Sequence, residues 1–293
     1  MIQRTAYIIA GPTASGKSDF AHALARKIGG TIINCDSVQI YRGIENISAS
    51  PFAAHPITDE IDGVPYRLFS VLELAKQISV ADYLGYARRE YDAAHASGRV
   101  PIFVGGTGYY INAILHGISP MPDISDDVRR RARELVATDM TAARQMLPPE
   151  FTATDPQRVA RALEVFLQTG RHLIEWQSVP RTGAVAPGAY KILINPSGDV
   201  LRNRIAVRIP KMMAGGALDE ARTIISHNWD CTRAIGAAQL CAYLRGAMTL
   251  DECVQNWITK TNQYAKRQRT WFRTQFAADI ELRDENAINT FLQ

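Results

Sequence analysis

The sequence is poor in cysteine, with 4 in 293 residues, and Cys35, Cys231, Cys241 and Cys253 form no C-x-x-C pair. That spacing argues against a zinc ribbon or a disulfide framework. It reads as buried or idle thiols in a reducing cytosol, so a cytoplasmic location is expected. No apolar run approaches the roughly 20 residues needed to cross a bilayer, so no membrane partner is expected. The opening Met1-Ile2-Gln3-Arg4-Thr5 leads into a strand-like run and lacks the apolar core and cleavage site of a secretory signal. Internal repeats and low-complexity tracts are also missing. What remains is ordinary for a soluble, well-cored protein, 46% hydrophobic and 21% charged.

Charge is scarce in net terms, only +4, but it is unevenly placed. Residues 1–122 are neutral, with 10 basic and 10 acidic side chains, whereas residues 199–273 carry 12 basic against 6 acidic. A basic C-terminal third fits a polyanionic partner, although a basic helix is also the ordinary form of a solvated face.

The pattern of residues predicts an α/β fold. Ala6–Ala10 (AYIIA), Thr31–Asp36 (TIINCD) and Val100–Gly105 (VPIFVG) read as buried strands. They alternate with helical periodicity over Lys17–Ile28, Val80–Ala96 and Thr107–His116, which implies a parallel sheet with right-handed crossovers. Ser79 with Asp82 has the form of a cap, and Gly29, Gly98 and Gly117 follow helix ends. From Pro120 to Gly188 no strand is evident. Helices are expected at Ser125–Ala137, Thr141–Met146 and Asp155–Thr169, with a turn or two at Arg171–Gln177. Tyr190–Asn195 then resumes the sheet, and the rest reads as largely helical, with a capping box at Thr249/Glu252. The expected organisation is a P-loop α/β core over 1–119, an all-helical insertion over 120–188, and 189–293 as the second part of the core with a basic helical C-terminal region.

Gly11-Pro12-Thr13-Ala14-Ser15-Gly16-Lys17-Ser18 is G-x-x-x-x-G-K-S between an expected strand and an expected helix. Its glycines let backbone amides converge on a phosphate, Lys17 adds charge, and Ser18 can ligate Mg²⁺. The motif implies a diphosphate-bearing ligand and leaves open whether that ligand is a nucleotide such as ATP. Asp36-Ser37 and Gly105-Gly106-Thr107-Gly108 end the next two strands, and ligands of open parallel sheets bind beyond the carboxyl ends of strands. A carboxylate and a hydroxyl placed there fit a base and a leaving-group or metal contact. Asp36 and Thr107 are also common helix caps, which is the plainer reading of each alone.

Together these residues resemble the tRNA dimethylallyltransferase family. The resemblance runs through Gly11–Ser18, Asp36-Ser37-Val38-Gln39-Ile40-Tyr41-Arg42-Gly43, Val104–Gly108, and Asp155-Pro156-Gln157-Arg158-Val159-Ala160-Arg161-Ala162-Leu163-Glu164. It continues in Leu201-x-x-Arg204-Ile205-x-x-Arg208 and ends in Lys266-Arg267-Gln268-x-Thr270-Trp271-Phe272-Arg273, so it spans nearly the whole chain. The chain departs from the family's usual G-T-A-K-P at Ile47-Ser48-Ala49-Ser50-Pro51, from its paired histidine near Tyr66-Arg67, and from its glycine–aromatic pair at Gly236-Ala237.

The resemblance implies a P-loop core that binds dimethylallyl diphosphate with Mg²⁺, and a helical insertion that grips the anticodon stem-loop of tRNA. Carried over by position, Asp36 would accept a proton from the adenine amine and Thr107 would contact the donor diphosphate. Gly11, Pro12, Thr13, Ala14, Ser15, Gly16, Lys17 and Ser18 would cradle that diphosphate, with Arg208 neutralising the leaving group and Ser18 on the metal. Asp36, Ser37, Val38, Gln39, Arg129, Gln157, Arg158, Val159, Ala160 and Arg161 would contact tRNA, and the protein is expected to act as a monomer. On spacing alone, Arg158 and Arg161 read as a salt-bridged helix surface. Trp271 and Phe272 read as core anchors of the last long helix. The other functions compatible with these motifs are a P-loop small-molecule kinase, a prenyl transferase acting on free adenine nucleotides, and a non-enzymatic RNA-binding module.

Overall fold

The computed structural model describes residues 5–293. They form two compact units, one over His116–Ala184 and one built from the chain on either side of it.

The larger unit is organised on a seven-stranded sheet. Strand β1 (Tyr7–Ala10) leads through the glycine-rich loop to α1 (Lys17–Ile28), and β2 (Gly30–Asn34) follows. A short helix α2 (Glu45–Ser48) precedes the hairpin of β3 (Glu60–Ile61) and β4 (Val64–Arg67). Then come α3 (Val80–Ala96), β5 (Val100–Gly105) and α4 (Gly108–His116). The strand order is β3-β4-β2-β5-β1, continued by two later strands. All pairings are parallel except β3 with β4. Every residue of β1 is buried, as a parallel strand covered on both faces requires. Ser79 and Asp82 form a full capping box at the start of α3.

Strand β2 stops at Asn34, two residues short of the expected Asp36. The buried Asn34 side chain causes this. Its Oδ1 accepts the Asp36 N–H at 2.9 Å and its Nδ2 donates to the Asp36 carbonyl at 3.0 Å, which turns the chain out of the sheet. The hairpin was not expected, although Asp62-Gly63, at φ 49° and 75°, is the turn pair that a two-residue hairpin favours.

The smaller unit holds α5 (Asp126–Thr138), α6 (Met140–Gln145), α7 (Pro156–Thr169) and α8 (Leu173–Gln177). Ala132, Val136, Val159 and Leu163 are among the buried residues of its separate core. Asp155 caps α7 through the Arg158 N–H, Pro156 occupies the first turn, and Gly170 ends the helix at φ 69°. Ile118 and Thr182 pair across the base of the unit, so its boundaries fall a few residues before those expected at 120 and 188.

The chain re-enters the sheet at β6 (Tyr190–Ile194), which pairs with β1. Helix α9 (Gly198–Met212) then leads through a kink at Met213–Ala217 into α10 (Leu218–Ser226). Next are α11 (Ala237–Leu244), the 26-residue α12 (Leu250–Gln275), β7 (Ile280–Leu282) and α13 (Glu285–Leu292). The C-terminal region is therefore helical with one exception, since β7 adds a parallel edge strand beside β6. The four cysteines are free thiols. Burial pushes the Cys35 thiol up to about 12, so it stays protonated and inert.

Candidate functional site

The glycine-rich loop is shaped by steric constraint. A side chain at Gly11 would come within 2.5 Å of the Ile194 carbonyl at the end of β6, and Gly16 adopts φ 90°. The loop is braced by three side chains from two helices. Arg204 on α9 donates from Nη1 to the Ser15 carbonyl at 3.0 Å, and Arg208, one turn on, donates from Nη2 to Thr13 Oγ1 at 2.7 Å. Gln268 on α12 accepts the Thr13 N–H at 2.8 Å and donates to the Gly106 carbonyl at 2.8 Å. One buried amide thus ties the phosphate loop to the Gly105–Gly108 turn, and Gly106 must lack a side chain because a Cβ there would lie 2.4 Å from Gln268 Nε2.

These elements enclose a pocket of about 750 Å³ lined by Thr13–Asp19, Asp36–Gln39, Ile47–Ala49, Arg208 and the α12 residues Trp257, Thr261, Tyr264 and Gln268. Three of its polar groups are buried without a hydrogen-bond partner: Ser15 Oγ, Arg208 Nε and Thr261 Oγ1. Orphaned polar groups are costly unless something binds them, and three in one pocket argue for a polar ligand. Burial, partly offset by Asp36 and reinforced by Arg208, lowers the Lys17 ammonium to about 8. Burial likewise lowers Arg208. Two cations held at a desolvation cost and facing a cavity form an anion site.

Asp36 and Thr107 come together beside this loop. One Asp36 oxygen, Oδ1, accepts the N–H groups of Val38 at 2.9 Å and Gln39 at 3.4 Å, which is the cap-like role. The second oxygen makes no hydrogen bond among the described residues, and Asp36 lines the pocket. Thr107 does not cap α4 with its side chain. Its Oγ1 accepts the Ser37 N–H at 3.1 Å and lies 3.4 Å from Ser37 Oγ, so it supports the Asp36-Ser37 turn from behind.

In the smaller unit, Gln157 and Arg158 are exposed at the start of α7. Val159 and Ala160 point inward to its core, 0% and 7% exposed, so their side chains offer no surface to RNA. Arg161 and Arg133 both bind the buried Glu164 carboxylate, at 3.3 and 3.5 Å, and Arg129 pairs with Asp126 at 3.6 Å. The salt-bridged reading therefore describes Arg161 and Arg129, and Arg158 makes no ion pair among the described residues.

The basic–aromatic tract of α12 divides between faces. Phe272 is buried, and the Trp271 ring lies against Gly108, where a Cβ would approach within 2.6 Å. Lys266, Arg269 and Arg273 line a separate crevice of about 1100 Å³ with Arg202 and Arg283. That crevice is larger than the phosphate-loop pocket, but Arg202 and Arg283 are neutralised there by Asp199 and Glu281, and none of the loop residues reaches it.

The sequence motifs assign no site role to Gln268, Thr261 or Trp257, which the structure places in the pocket wall. The signal was present, because α12 buries a stripe of Cys253, Trp257, Thr261, Ala265, Gln268 and Phe272 in which two members are polar. Gln268→Leu should strand both the Thr13 N–H and the Gly106 carbonyl and lower stability by about 1–3 kcal/mol. Chemical denaturation measures this, and an unchanged midpoint would show that water replaces the amide.

Comparison with known proteins follows the same lines. The family model described as IPP transferase matches residues 39–275, and the model described as isopentenyl transferase matches residues 4–60. A tRNA dimethylallyltransferase of Sphingopyxis alaskensis is 41% identical over 279 residues, covering 92% of this chain and 89% of that protein. One from Rickettsia bellii is 35% identical over 305 residues, covering 100% and 95%. The crystal structure of a tRNA isopentenylpyrophosphate transferase from Bacillus halodurans superposes with a TM-score of 0.69 at 29% identity, over 99% of this chain and 95% of that one. A phosphate-loop α/β core, an orphaned anion pocket at its edge and matches of this length have one joint meaning: the chain belongs to the IPP transferase family.

Proposed function

We propose that this protein transfers a dimethylallyl group from dimethylallyl diphosphate to the exocyclic amine of an adenosine beside the tRNA anticodon, releasing diphosphate. The observation that carries the reading is the pocket itself, where a diphosphate cradle with unpaired donors and an Asp36 oxygen free to accept a proton share one cavity. The family membership and the names of the relatives support it.

In this reading the loop amides, Lys17 and Arg208 bind the diphosphate and stabilise the charge that grows on it as the allylic C–O bond breaks. Asp36 orients the adenine amine and accepts its proton as the new C–N bond forms. The base must leave the anticodon stack, because its amine is otherwise out of reach. Thr107 acts through Ser37 by holding the Asp36 turn. Ser18, exposed where α1 begins, would meet Mg²⁺ in this pocket, and no group of three or more acidic, histidine or cysteine side chains among the described residues would cage a metal. That fits an ion carried mainly by the donor's phosphates, where Mg²⁺ would supply further charge neutralisation.

The smaller unit would supply tRNA contacts through Gln157, Arg158 and Arg161, with Arg129 secondary. We place the protein in the cytoplasm as a monomer; no helix of the described residues is long and apolar enough to cross a membrane. Incubation with unmodified tRNA, Mg²⁺ and labelled dimethylallyl diphosphate, followed by RNA digestion, should place label in an adenosine. ATP-dependent release of ADP with a small acceptor would instead identify a kinase, and equal labelling of free nucleotides would remove tRNA from the scheme. Arg158→Ala should lower the salt dependence of tRNA binding by about one unit of slope, as loss of one phosphate contact does. Arg161→Ala should do less, because Glu164 already shares its charge. Identical slopes for wild type and Arg158→Ala would return that residue to the solvated surface.

A further inference from the structure

Glu220 on α10 is far from the phosphate loop in sequence, yet its carboxylate is engaged by the pocket wall. Its Oε1 accepts the Asn46 N–H at 2.7 Å and Asn46 Nδ2 at 2.9 Å, and its Oε2 accepts the Ile47 N–H at 2.8 Å. Helix α2 is a single turn whose own N-cap residue, Ile44, supplies no side-chain cap. Glu220 satisfies those amides from outside, as a local Asp or Ser would otherwise do. Burial raises its pKa and the three donors oppose that, so this is a carboxylate held by neutral groups alone.

The segment it caps is continuous with the reacting edge of the pocket. Ile47, Ser48 and Ala49 line the cavity. The carbonyls of Ser48 and Ala49 accept from Gln39 Nε2 at 3.1 and 2.9 Å, and the Gln39 N–H reaches Asp36 Oδ1. A chain of hydrogen bonds and short backbone therefore runs from Asp36 to Glu220. From the other side, α9 brings Arg204, Arg208 and Met212, and the chain then kinks into α10 where Gly216 adopts φ 109°. A side chain at Gly215 would strike Asn46 Oδ1 at 2.4 Å. The segment bearing Asp36 and the helix bearing Arg208 thus meet at one joint, made by Asn46 and Glu220.

We propose that Glu220 is a positioning residue for prenyl transfer, which fixes the Asp36 wall of the pocket against the Arg208 helix by fastening Asn46 and Ile47. The proposal rests on the donor-site reading of the pocket given above. In Glu220→Gln the amide keeps the shape but turns N–H groups toward at least one of the three donors. The test compares full-length wild type, Glu220→Gln, Asn46→Ala and the double variant. Inorganic diphosphate binding is followed by tryptophan fluorescence, to which Trp257 in the pocket wall contributes, and KM and turnover are read with dimethylallyl diphosphate.

Glu220→Gln should raise donor KM about tenfold, as loss of a charge-assisted hydrogen bond would, with a smaller change in saturated turnover. Asn46→Ala, which removes one of the three bonds, should do the same more weakly, and the two effects should not add, because the groups share one joint. A lower melting temperature with unchanged KM and diphosphate affinity in both single variants would reduce Glu220 to a structural cap and overturn the proposal, as would fully additive effects on KM. Failure of the wild type to bind diphosphate would instead bring down the donor-site reading, and the role of Glu220 with it.

Discussion

Asp36→Asn is expected to slow single-turnover prenyl transfer by about 10²–10⁴, the range of a lost general base, while leaving donor and tRNA affinities near wild type. The amide retains an oxygen that can accept the Val38 N–H, so the turn beyond β2 keeps its cap. What disappears is the charged second oxygen. The amide can still orient an adenine amine but cannot take its proton, and a loss confined to the rate constant is the mark of an interaction made in the transition state. Asp36→Ala should be at least as slow and should also loosen the turn. Rates must be taken with saturating substrates in a single turnover, so that product release does not mask the step. A near-normal rate in Asp36→Asn would show that this carboxylate is a cap alone and that the proton goes elsewhere.

Lys17→Ala should cost about 3–4 kcal/mol in transition-state stabilisation, roughly 10²–10³ in rate, comparable to removing one oxyanion donor. Lys17 also provides a pH signature. Its folded pKa of about 8 lies below the ordinary 10.5, because burial disfavours the ammonium. Below about pH 8 the folded protein carries that charge at a cost. Between about 8 and 10.5 the folded state releases its proton before the unfolded state does, and the contribution of Lys17 to stability rises with pH. A bound diphosphate reverses the local balance by offering negative charge, so donor binding near pH 8–9 should take up a proton. Calorimetry in two buffers of different ionisation enthalpy reads this directly. Lys17→Ala should abolish the uptake, and an equal uptake in the variant would move the titrating group away from Lys17.

The local parts of this architecture were legible in the sequence, because local chemistry determines them. The boundaries of α3 and β5 fall where expected, as caps and glycines mark them. The loop from Gly11 to Ser18 lies between strand and helix as its motif requires. Strand β7 was not legible, since three residues carry too little alternation to register and its place is set by β6. The roles of Gln268 and Glu220 were hidden for another reason. Gln268 stands out only as a polar member of the buried α12 stripe and Glu220 not at all, and nothing nearby in sequence reveals that Thr13 or Asn46 will meet them. Val159 and Ala160 show the reverse case. Their apolar spacing with Ala162 and Leu163 already directed them inward, and motif membership alone placed them among the RNA contacts.

The bond between Gln268 and Thr13 spans 255 residues of sequence. During synthesis the phosphate loop emerges well before its brace, which lies in α12. At roughly 5–20 residues per second, the loop would wait some tens of seconds or less for that partner. For the earlier part of that wait β1 lacks its neighbour β6 as well, because the whole smaller unit must be made before β6. Until β6 is made, the nascent chain would therefore expose an unpaired, apolar strand edge, a ready surface for misassociation and for chaperone capture. Competence to bind the donor would then wait on α12 rather than on the loop itself.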